Sequence, residues 1–338
     1  PASGPAGSTV TVKGYNFNPL PEAITVYFGG AKATVSAVTD TTLTVTVPAG
    51  ATFLPISVTK DNYTAYSKAP FVLSFPGGPA NLENTFAARV NVTTENVPKG
   101  SVIADFDADG KNDIAVTNSV TGNFSVLRNT STPGNLTFAN RVNFVQPGNP
   151  TDIKSGDLNG DGKPDIITIH DINAVAISRN TSTPGVISFV SQGNIGLSSP
   201  PSSLFINDLN LDGNPEIIMG SQVYVTIIPN NSSNGTLTFA AKIETGLINL
   251  NDAVAVADLN GDGKPDIIMG NSFMKNTSVN GVLSFDAPVS YSNAEQAFRI
   301  EIGDLNNDGK PDLAAIYQSS NEIGLFLNTS TGTSITFS

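Results

Sequence analysis

The sequence predicts an all-β fold in which a small β-sandwich precedes a repeat-based β-propeller. An acidic nine-residue segment recurs five times between residues 105 and 312. Short runs rich in β-branched residues flank each copy, with Gly, Asn and Pro between them, which is the pattern of strands joined by turns. Residues 1–75 lack the acidic segment and contain short alternating runs instead. Helical periodicity of any length is hard to find in either region.

The first region alternates apolar and polar residues, as strands with one buried face do. The runs are 9–13, 24–28, 32–35, 42–47 and 54–59. A stretch rich in Pro and Gly follows at 70–79. The sequence therefore predicts a sandwich domain at 1–76, a linker at 77–84 and a repeat domain at 85–338.

The acidic segment follows the pattern D-x-[DN]-x-D-G-x-x-[DE], and we number its five copies loop 1 to loop 5: 105–113, 157–165, 208–216, 258–266 and 304–312. Side-chain oxygens at positions 1, 3, 5 and 9 and the backbone carbonyl at position 7 can converge on one hard cation. Gly at position 6 permits the sharp turn with positive φ that such a loop needs. The predicted ligands, loop by loop, are Asp105, Asp107, Asp109, Lys111 and Asp113; Asp157, Asn159, Asp161, Lys163 and Asp165; Asp208, Asn210, Asp212, Asn214 and Glu216; Asp258, Asn260, Asp262, Lys264 and Asp266; Asp304, Asn306, Asp308, Lys310 and Asp312.

Ligand chemistry indicates which metal these loops bind. Every candidate ligand atom is oxygen, because the chain has no Cys and a single His. Oxygen ligands select calcium or magnesium over zinc or copper, and many carboxylates suit the larger calcium shell. An EF-hand loop ends with a bidentate Glu at position 12, whereas here β-prone residues follow position 9, so each loop is expected to join two strands. The alternative is that the Asp-Gly segments only form hairpin turns; five copies with one spacing favour about five Ca²⁺ sites.

The charge distribution supports metal binding. The loops hold 16 of the 29 acidic residues, and the formal net charge is −12. Five calcium ions add ten positive charges and would bring this charge to −2. Without metal the carboxylates of each loop repel one another, so we expect calcium to stabilise the fold. Loop 1, with four Asp, is expected to bind most tightly, and loop 3, with Asn214 and Glu216, least tightly.

The spacing of the loops predicts the architecture. Their first residues are 46 to 52 positions apart, and propellers use about 40–50 residues for each four-stranded blade. Two further features recur in phase: an Asn-Thr-Ser or Asn-Ser-Ser turn that begins at 129, 180, 231, 276 or 328, and a run ending in Phe138, Phe189, Phe239, Phe285 or Phe337. Each repeat is predicted to read strand, acidic loop, strand, turn, strand, Asn-Thr-Ser turn, strand, with the Phe packed between blades. A five-bladed ring is favoured; a seven-bladed propeller, truncated at Ser338 or with degenerate loops, is the alternative.

Two regions resemble known families. On the Asp-x-Asn-x-Asp-Gly-Lys-x-Asp core, residues 85–338 resemble the FG-GAP/VCBS (integrin alpha-like) repeats of bacterial surface proteins. This resemblance implies a β-propeller with calcium in the Asp-rich hairpin of each blade. Residues 3–17, 26–35 and 45–50 are similar to an IPT/TIG domain, which implies an immunoglobulin-like sandwich.

The sequence offers little for catalysis. There is no Cys nucleophile, no Gly-x-Ser-x-Gly elbow and no P-loop, and His170 is the only candidate imidazole base. The abundant carboxylates lie in loops where calcium would neutralise them. We therefore expect no enzymatic activity and no catalytic residue.

We expect a secreted or cell-surface adhesion or recognition module of a bacterial protein that binds an extracellular protein on the propeller surface. One alternative is a lectin-like module that binds polysaccharide, and another is a spacer or appendage of a larger surface enzyme. Extracellular calcium is millimolar and fills even weak sites. The acidic charge argues against nucleic acid, and no apolar run has transmembrane length, so neither nucleic-acid binding nor membrane insertion is expected. The chain is expected to be a monomer.

Overall fold

The computed structural model describes residues 3–17, 24–29, 31–51, 55–60, 63–74, 89–246, 254–291, 297–306, 308–332 and 334–338. Every regular element in these ranges is a strand, and none of them contains a helix that could cross a membrane. The chain divides into two compact units: Pro1–Ile167 with Ile177–Gly193, and Thr168–Ala176 with Asn194–Ser338. The predicted linker at 77–84 lies outside the described residues, so the predicted domain boundaries stay a prediction.

The N-terminal region forms eight strands: β1 Ser3–Gly4, β2 Thr9–Lys13, β3 Ile24–Phe28, β4 Ala31–Val38, β5 Thr42–Thr46, β6 Pro55–Lys60, β7 Tyr63–Pro70 and β8 Val72–Leu73. Six of them pair in the order β2-β5-β4-β3-β6-β7, and β1 pairs with β8 in a separate parallel ladder. The start of β4 pairs with β3 and its remainder with β5, so β4 joins two half-sheets around one core. The predicted sandwich is confirmed.

Alternation along β3 and β6 decides which side chains enter that core. The core side chains from these two strands are Ile24, Val26, Phe28, Ile56 and Val58. Successive side chains of a strand point to opposite faces, so Thr25, Tyr27 and Thr59 lie on the other face of the half-sheet. Tyr27 and Thr59 are nevertheless only 6% and 7% exposed, which requires a cover outside the sandwich.

The described repeats form five successive antiparallel sheets. Their strands are β9 Pro98–Ala104, β10 Asp113–Asn118, β11 Asn123–Leu127 and β12 Val142–Val145; β13 Pro150–Gly156, β14 Asp165–His170, β15 Ala174–Asn180 and β16 Phe189–Gly196; β17 Pro201–Asn207, β18 Glu216–Ser221, β19 Tyr224–Ile228 and β20 Ile243–Gly246; β21 Val254–Ala257, β22 Asp266–Met269, β23 Ser272–Met274 and β24 Val289–Ser290; β25 Arg299–Gly303, β26 Asp312–Tyr317 and β27 Glu322–Phe326. Within each sheet, strands that follow one another in the chain are neighbours. The predicted repeat unit and the β-propeller-like fold are confirmed; the fifth sheet has three strands among its described residues.

Each acidic loop connects the first and second strands of its sheet. The residue before position 1 pairs with position 9 across the two strands, as in Ala104 with Asp113 and Ala257 with Asp266. The loop is therefore the closed end of a hairpin, as predicted from the β-prone residues that follow it.

The recurring Phe of the second and fifth repeats packs on the preceding repeat. Phe189 of the second repeat contacts Phe106 and Phe124 of the first, with ring centroids 5.6 Å apart in both pairs. In the same way, Phe337 of the fifth repeat lies 6.2 Å from Phe273 of the fourth. These contacts confirm the predicted role of the Phe between repeats.

Candidate metal centres

Position 1 organises each acidic loop. Its carboxylate accepts a hydrogen bond from the backbone N–H of the Gly at position 6, at 2.8 to 3.0 Å in all five loops. Its other oxygen accepts an N–H from position 4 or 5, as from Asp109 to Asp105 and from Gly261 to Asp258. The backbone therefore wraps around this carboxylate, which fixes it at the centre of the loop.

Positions 3 and 5 face each other across the loop. The position-3 side-chain oxygen accepts the position-5 N–H at 2.9 to 3.2 Å in every loop. Where position 3 is Asn, its amide also donates to the position-5 carboxylate at 3.0 to 3.2 Å. The side chains at positions 3 and 5 are thus held next to each other in every loop.

Loop 1 has the tightest acidic cluster among the described residues. One carboxylate oxygen from each of Asp105, Asp107 and Asp109 lies within 4.8 Å of the others. Asp105 and Asp107 are buried, at 0% and 1% exposed. Two buried carboxylates and a third, partly buried one repel one another at this separation, so the arrangement fits a bound hard cation and is costly without one.

A cationic side chain already approaches this cluster. A guanidinium nitrogen of Arg128 lies 3.6 Å from Asp109 and 4.0 Å from Asp107. Asp107 also accepts the backbone N–H of Gly185, from the second repeat, at 2.8 Å. The sequence analysis missed Arg128. This residue follows β11, and no sequence pattern indicates that it lies near the loop.

Position 9 has a different environment from positions 1, 3 and 5. One of its oxygens accepts the position-2 N–H at 2.8 to 3.1 Å in every loop. The other accepts the N–H of the Asn that opens the Asn-Thr-Ser turn (Asn230 in the third repeat), at 2.7 to 3.4 Å. The position-9 carboxylate therefore connects the loop to the Asn-containing turn by hydrogen bonds, and its role as a metal ligand stays a prediction. The fully buried residues at this position are Asp113, Asp165, Glu216, Asp266 and Asp312.

The residue at position 7 is predicted to bind the metal through its backbone carbonyl. Its N–H donates to the position-5 carboxylate at 2.8 to 3.0 Å in all five loops. The ammonium groups of Lys163 and Lys310 turn away from the acidic groups and donate to the backbone carbonyls of Ser182 and Ser330, both at 2.8 Å. In loops 2 and 5 the side chain is thus kept away from the acidic groups, as carbonyl ligation needs, whereas in loop 3 the Asn214 amide donates to the Asp212 carboxylate at 3.2 Å.

Two loop positions adopt left-handed backbone conformations. Gly at position 6 has φ between 81° and 93° in all five loops, which confirms the predicted turn. Position 4 also has positive φ in loops 1 to 4, where it is Ala108, Gly160, Leu211 and Gly261. Ala and Leu pay a steric penalty in this conformation that Gly does not, so loops 1 and 3 are strained relative to loops 2 and 4.

Burial raises the pKa of seven loop carboxyls, all of them at position 1 or position 9. Burial, followed by repulsion from neighbouring Asp, raises the pKa of Asp105, Asp157 and Asp208 to about 6. Burial likewise raises the pKa of Asp113 to about 7 and that of Glu216 to about 8. The folded chain therefore disfavours ionisation of these carboxyls relative to the unfolded chain, and a bound cation would offset that cost.

The Asn of the recurring turn connects the second, fourth and fifth repeats to the repeats before them. In three cases its side-chain amide donates both to the position-8 carbonyl of its own loop and to the position-2 carbonyl of the preceding loop. The latter bonds are Asn180 to Phe106 at 2.9 Å, Asn276 to Leu209 at 2.7 Å and Asn328 to Leu259 at 2.8 Å. Their in-phase recurrence was the signal in the sequence, which we interpreted only as a turn.

The following repeat also covers the position-2 side chain in loops 1, 3 and 4. Phe106, Leu209 and Leu259 are at most 1% exposed and pack in clusters with residues of the following repeat, whereas Leu305 in loop 5 is 49% exposed. Residues of two repeats therefore surround the position-2 side chain of each of these loops. The conformation of the loop thus depends on contact between its own repeat and the next one.

A polar cleft of about 480 Å³ lies at the edge of the first repeat. Its lining includes Asn91, Thr93, Phe138, Asn140, Arg141 and Asn143. Behind it, Glu95 accepts hydrogen bonds from Asn143 at 2.6 Å and from Arg141 at 3.2 Å. The cleft thus presents amide and guanidinium groups held in place beside one aromatic ring.

His170, the one candidate imidazole base, is completely buried. It shares a hydrogen bond with Thr168, two residues away on the same strand, at 2.9 Å. A side chain with no exposed surface cannot exchange protons with a substrate at the surface.

Comparison with protein families identifies both regions. The FG-GAP-like repeat matches residues 105–168, 157–219 and 208–269, and the IPT/TIG domain matches residues 1–75. The chain therefore carries an IPT/TIG domain followed by FG-GAP-like repeats, as the sequence motifs predicted. No curated protein matches the chain.

Comparison with solved structures finds similar chains at low sequence identity. A lectin from Agrocybe aegerita that recognises non-reducing terminal N-acetylglucosamine is 18% identical, with a TM-score of 0.51 over 98% of this chain and 92% of the lectin. A rhamnogalacturonan lyase from Bacillus licheniformis is 14% identical, with a TM-score of 0.45 over 94% of this chain and 65% of the lyase. An auxiliary nutrient binding protein from Bacteroides ovatus is 11% identical, with a TM-score of 0.37 over 97% of this chain and 84% of that protein. At these identities the likeness to the lectin shows a common fold.

Proposed function

We propose that this chain, an IPT/TIG domain followed by FG-GAP-like repeats, is a calcium-stabilised recognition module that works outside the cell or at its surface. The observation that carries the proposal is the convergence of Asp105, Asp107 and Asp109, together with the same hydrogen-bonded frame in all five loops. Calcium supplies the positive charge that these oxygens lack and holds each hairpin closed. It plays a structural part, and no catalytic step is assigned to the chain.

Rigid hairpins suit recognition because they hold the remaining surface in one conformation before a partner binds. Preorganised surfaces lose less conformational entropy on binding. The partner class is an extracellular protein or polysaccharide, bound by a monomer.

Calcium binding is tested first on the full chain. Equilibrium dialysis should give about five bound calcium ions for the five loops, and Asp161→Ala or Asp262→Ala should each remove one. Metal at about 100 times its dissociation constant stabilises by roughly 2.7 kcal/mol per site, so EDTA should lower the melting temperature. Equal melting temperatures in calcium and in EDTA, with no calcium bound, would contradict the proposal.

A second candidate function, glycan binding, is favoured by the cleft of the first repeat. Amide and guanidinium groups beside Phe138 are groups that hydrogen-bond sugar hydroxyls and stack on a sugar ring, and a lectin shares the fold. The test is a polysaccharide and glycan array probed with the wild-type chain and with Asn143→Ala. A sugar class bound by the wild type and lost in the variant supports this function. Binding to no glycan leaves an extracellular protein as the partner.

A further inference from the structure

The outer face of the N-terminal sandwich contacts loops 1 and 2. The Tyr27 hydroxyl donates a hydrogen bond to the carbonyl of Gly162, at position 6 of loop 2. Thr59, also on this face, donates to the carboxylate of Asp157, at position 1 of the same loop, at 3.5 Å. Both donors are almost fully buried although they point away from the sandwich core, so loop 2 is the cover that their burial requires.

The contact extends to loop 1. The side-chain amide of Asn112, at position 8, donates to the carbonyl of Gly50 in the N-terminal domain. The fit is close, because a Cβ added at Gly50 would lie 3.2 Å from the Asn112 amide and 3.4 Å from Ala31. A Cβ at Gly162 would likewise reach Thr25 at 3.6 Å.

We propose that loops 1 and 2 form a calcium-dependent docking surface for the N-terminal domain, so that metal binding and domain docking stabilise each other. The inference rests on the proposed calcium sites and assigns loops 1 and 2 a role beyond closing their own hairpins.

The physical reason lies in what the contact covers. Docking places neutral hydroxyl groups over the Asp157 carboxylate and removes water from it, which is costly for an uncompensated charge. A divalent cation in the loop offsets that cost. The cation also fixes the peptides around Gly162, whose carbonyl receives the Tyr27 hydroxyl. Coupling of this kind is reciprocal, so docking must raise calcium affinity to the extent that calcium favours docking.

Loop 4 provides a matched control, because loops 2 and 4 have the same sequence, Asp-Leu-Asn-Gly-Asp-Gly-Lys-Pro-Asp. Any difference between Asp157 and Asp258 variants must therefore come from the surroundings of the loops. The absence of native Cys also permits disulfide trapping without background.

The test is the rate of disulfide formation in the full-length Gly50→Cys/Asn112→Cys variant, with calcium and with EDTA. Calcium should accelerate cross-linking about fivefold or more, the lower range of typical coupling energies. Adding Asp157→Asn should reduce that acceleration, and adding Asp258→Asn should leave it unchanged. A Thr11→Cys/Thr44→Cys pair, directly opposed on β2 and β5, reports on thiol reactivity alone and should cross-link equally in both conditions.

Equal cross-linking rates with calcium and with EDTA would overturn the proposal. An equal reduction of the calcium-dependent acceleration by Asp157→Asn and by Asp258→Asn would also overturn it, because calcium would then act on the whole fold and not on loop 2 alone. Should Asp157→Asn fail to fold by circular dichroism, Thr59→Val replaces it. That variant should weaken calcium binding at one site, whereas Thr11→Val should not, and unchanged binding in Thr59→Val contradicts the proposal. Calcium stoichiometry separates the two claims: no bound calcium removes the proposed function, whereas bound calcium without faster cross-linking removes only the docking role.

Discussion

Asn276 donates from its side-chain amide to the backbone carbonyl of Leu209, 67 positions earlier in the chain, at 2.7 Å. Both groups are buried, and the same amide also donates to the carbonyl of Pro265 at 2.8 Å. One side chain therefore satisfies a carbonyl in its own acidic loop and another in the preceding loop. Buried carbonyls need such partners, so this Asn links the folding of the fourth repeat to that of the third.

Asn276→Ala is expected to destabilise the chain by about 1–3 kcal/mol, because it leaves the buried carbonyl of Leu209 and the partly buried carbonyl of Pro265 without their donor. Urea denaturation measures the loss. Thr277→Ala is the neighbouring control, because its hydroxyl pairs with Ser284 at the exposed surface, and it should cost less than about 0.5 kcal/mol. If the two variants lose equal stability, the amide does not couple the repeats.

Leu211→Gly is expected to stabilise loop 3 by up to about 1 kcal/mol, since Gly relieves the left-handed backbone strain. Leu211 has φ of 60° and is 56% exposed, so little burial is lost. Leu305→Gly removes a side chain that is 49% exposed but lies outside the left-handed region, and should destabilise by about 0.5–1 kcal/mol. Thermal or urea unfolding should show opposite signs; a loss of stability in both variants would refute strain at Leu211.

Arg128→Gln is expected to tighten calcium binding in loop 1 about fivefold, roughly 1 kcal/mol. The guanidinium lies 3.6 Å from Asp109, where it repels an incoming cation and competes for the carboxylate. Calorimetric titration with calcium gives the affinity, and Arg299→Gln, in an exposed pair with Glu301, controls for net charge. Unchanged or weaker binding in Arg128→Gln would contradict competition between the arginine and calcium.

The metal-free chain is expected to lose stability as pH rises from about 4 to about 8. Burial raises the folded-state pKa of Asp113 to about 7 and that of Glu216 to about 8, whereas unfolded Asp and Glu titrate near 4. Between these values the folded state binds more protons than the unfolded state, so a rise in pH favours unfolding.

Saturating calcium should reverse this dependence, because carboxylates paired with a cation favour the ionised form. Urea denaturation at pH 5 and pH 8, in EDTA and in calcium, tests both signs. Stability that rises with pH in EDTA would contradict the burial argument.

The sequence by itself determined the local features of this protein. The alternation in 24–28 and 54–59 placed strands and their buried faces, because a strand has a fixed period of two. The Gly at position 6 indicated the positive-φ turn, and the acidic pattern indicated a hairpin with convergent oxygens, because both depend only on residues a few positions apart. The 46- to 52-residue period then indicated repeated sheets, because one supersecondary unit recurs at each period.

Only the tertiary structure decided which groups from distant parts of the chain meet. It paired Asn276 with Leu209, placed Arg128 beside Asp109, and set Tyr27 against Gly162, 135 positions away. It also surrounded the position-9 carboxylates with backbone donors that the nonapeptide pattern does not reveal. These contacts depend on how one sheet or domain packs on the next, and residue type and spacing within a single repeat carry no information about that packing.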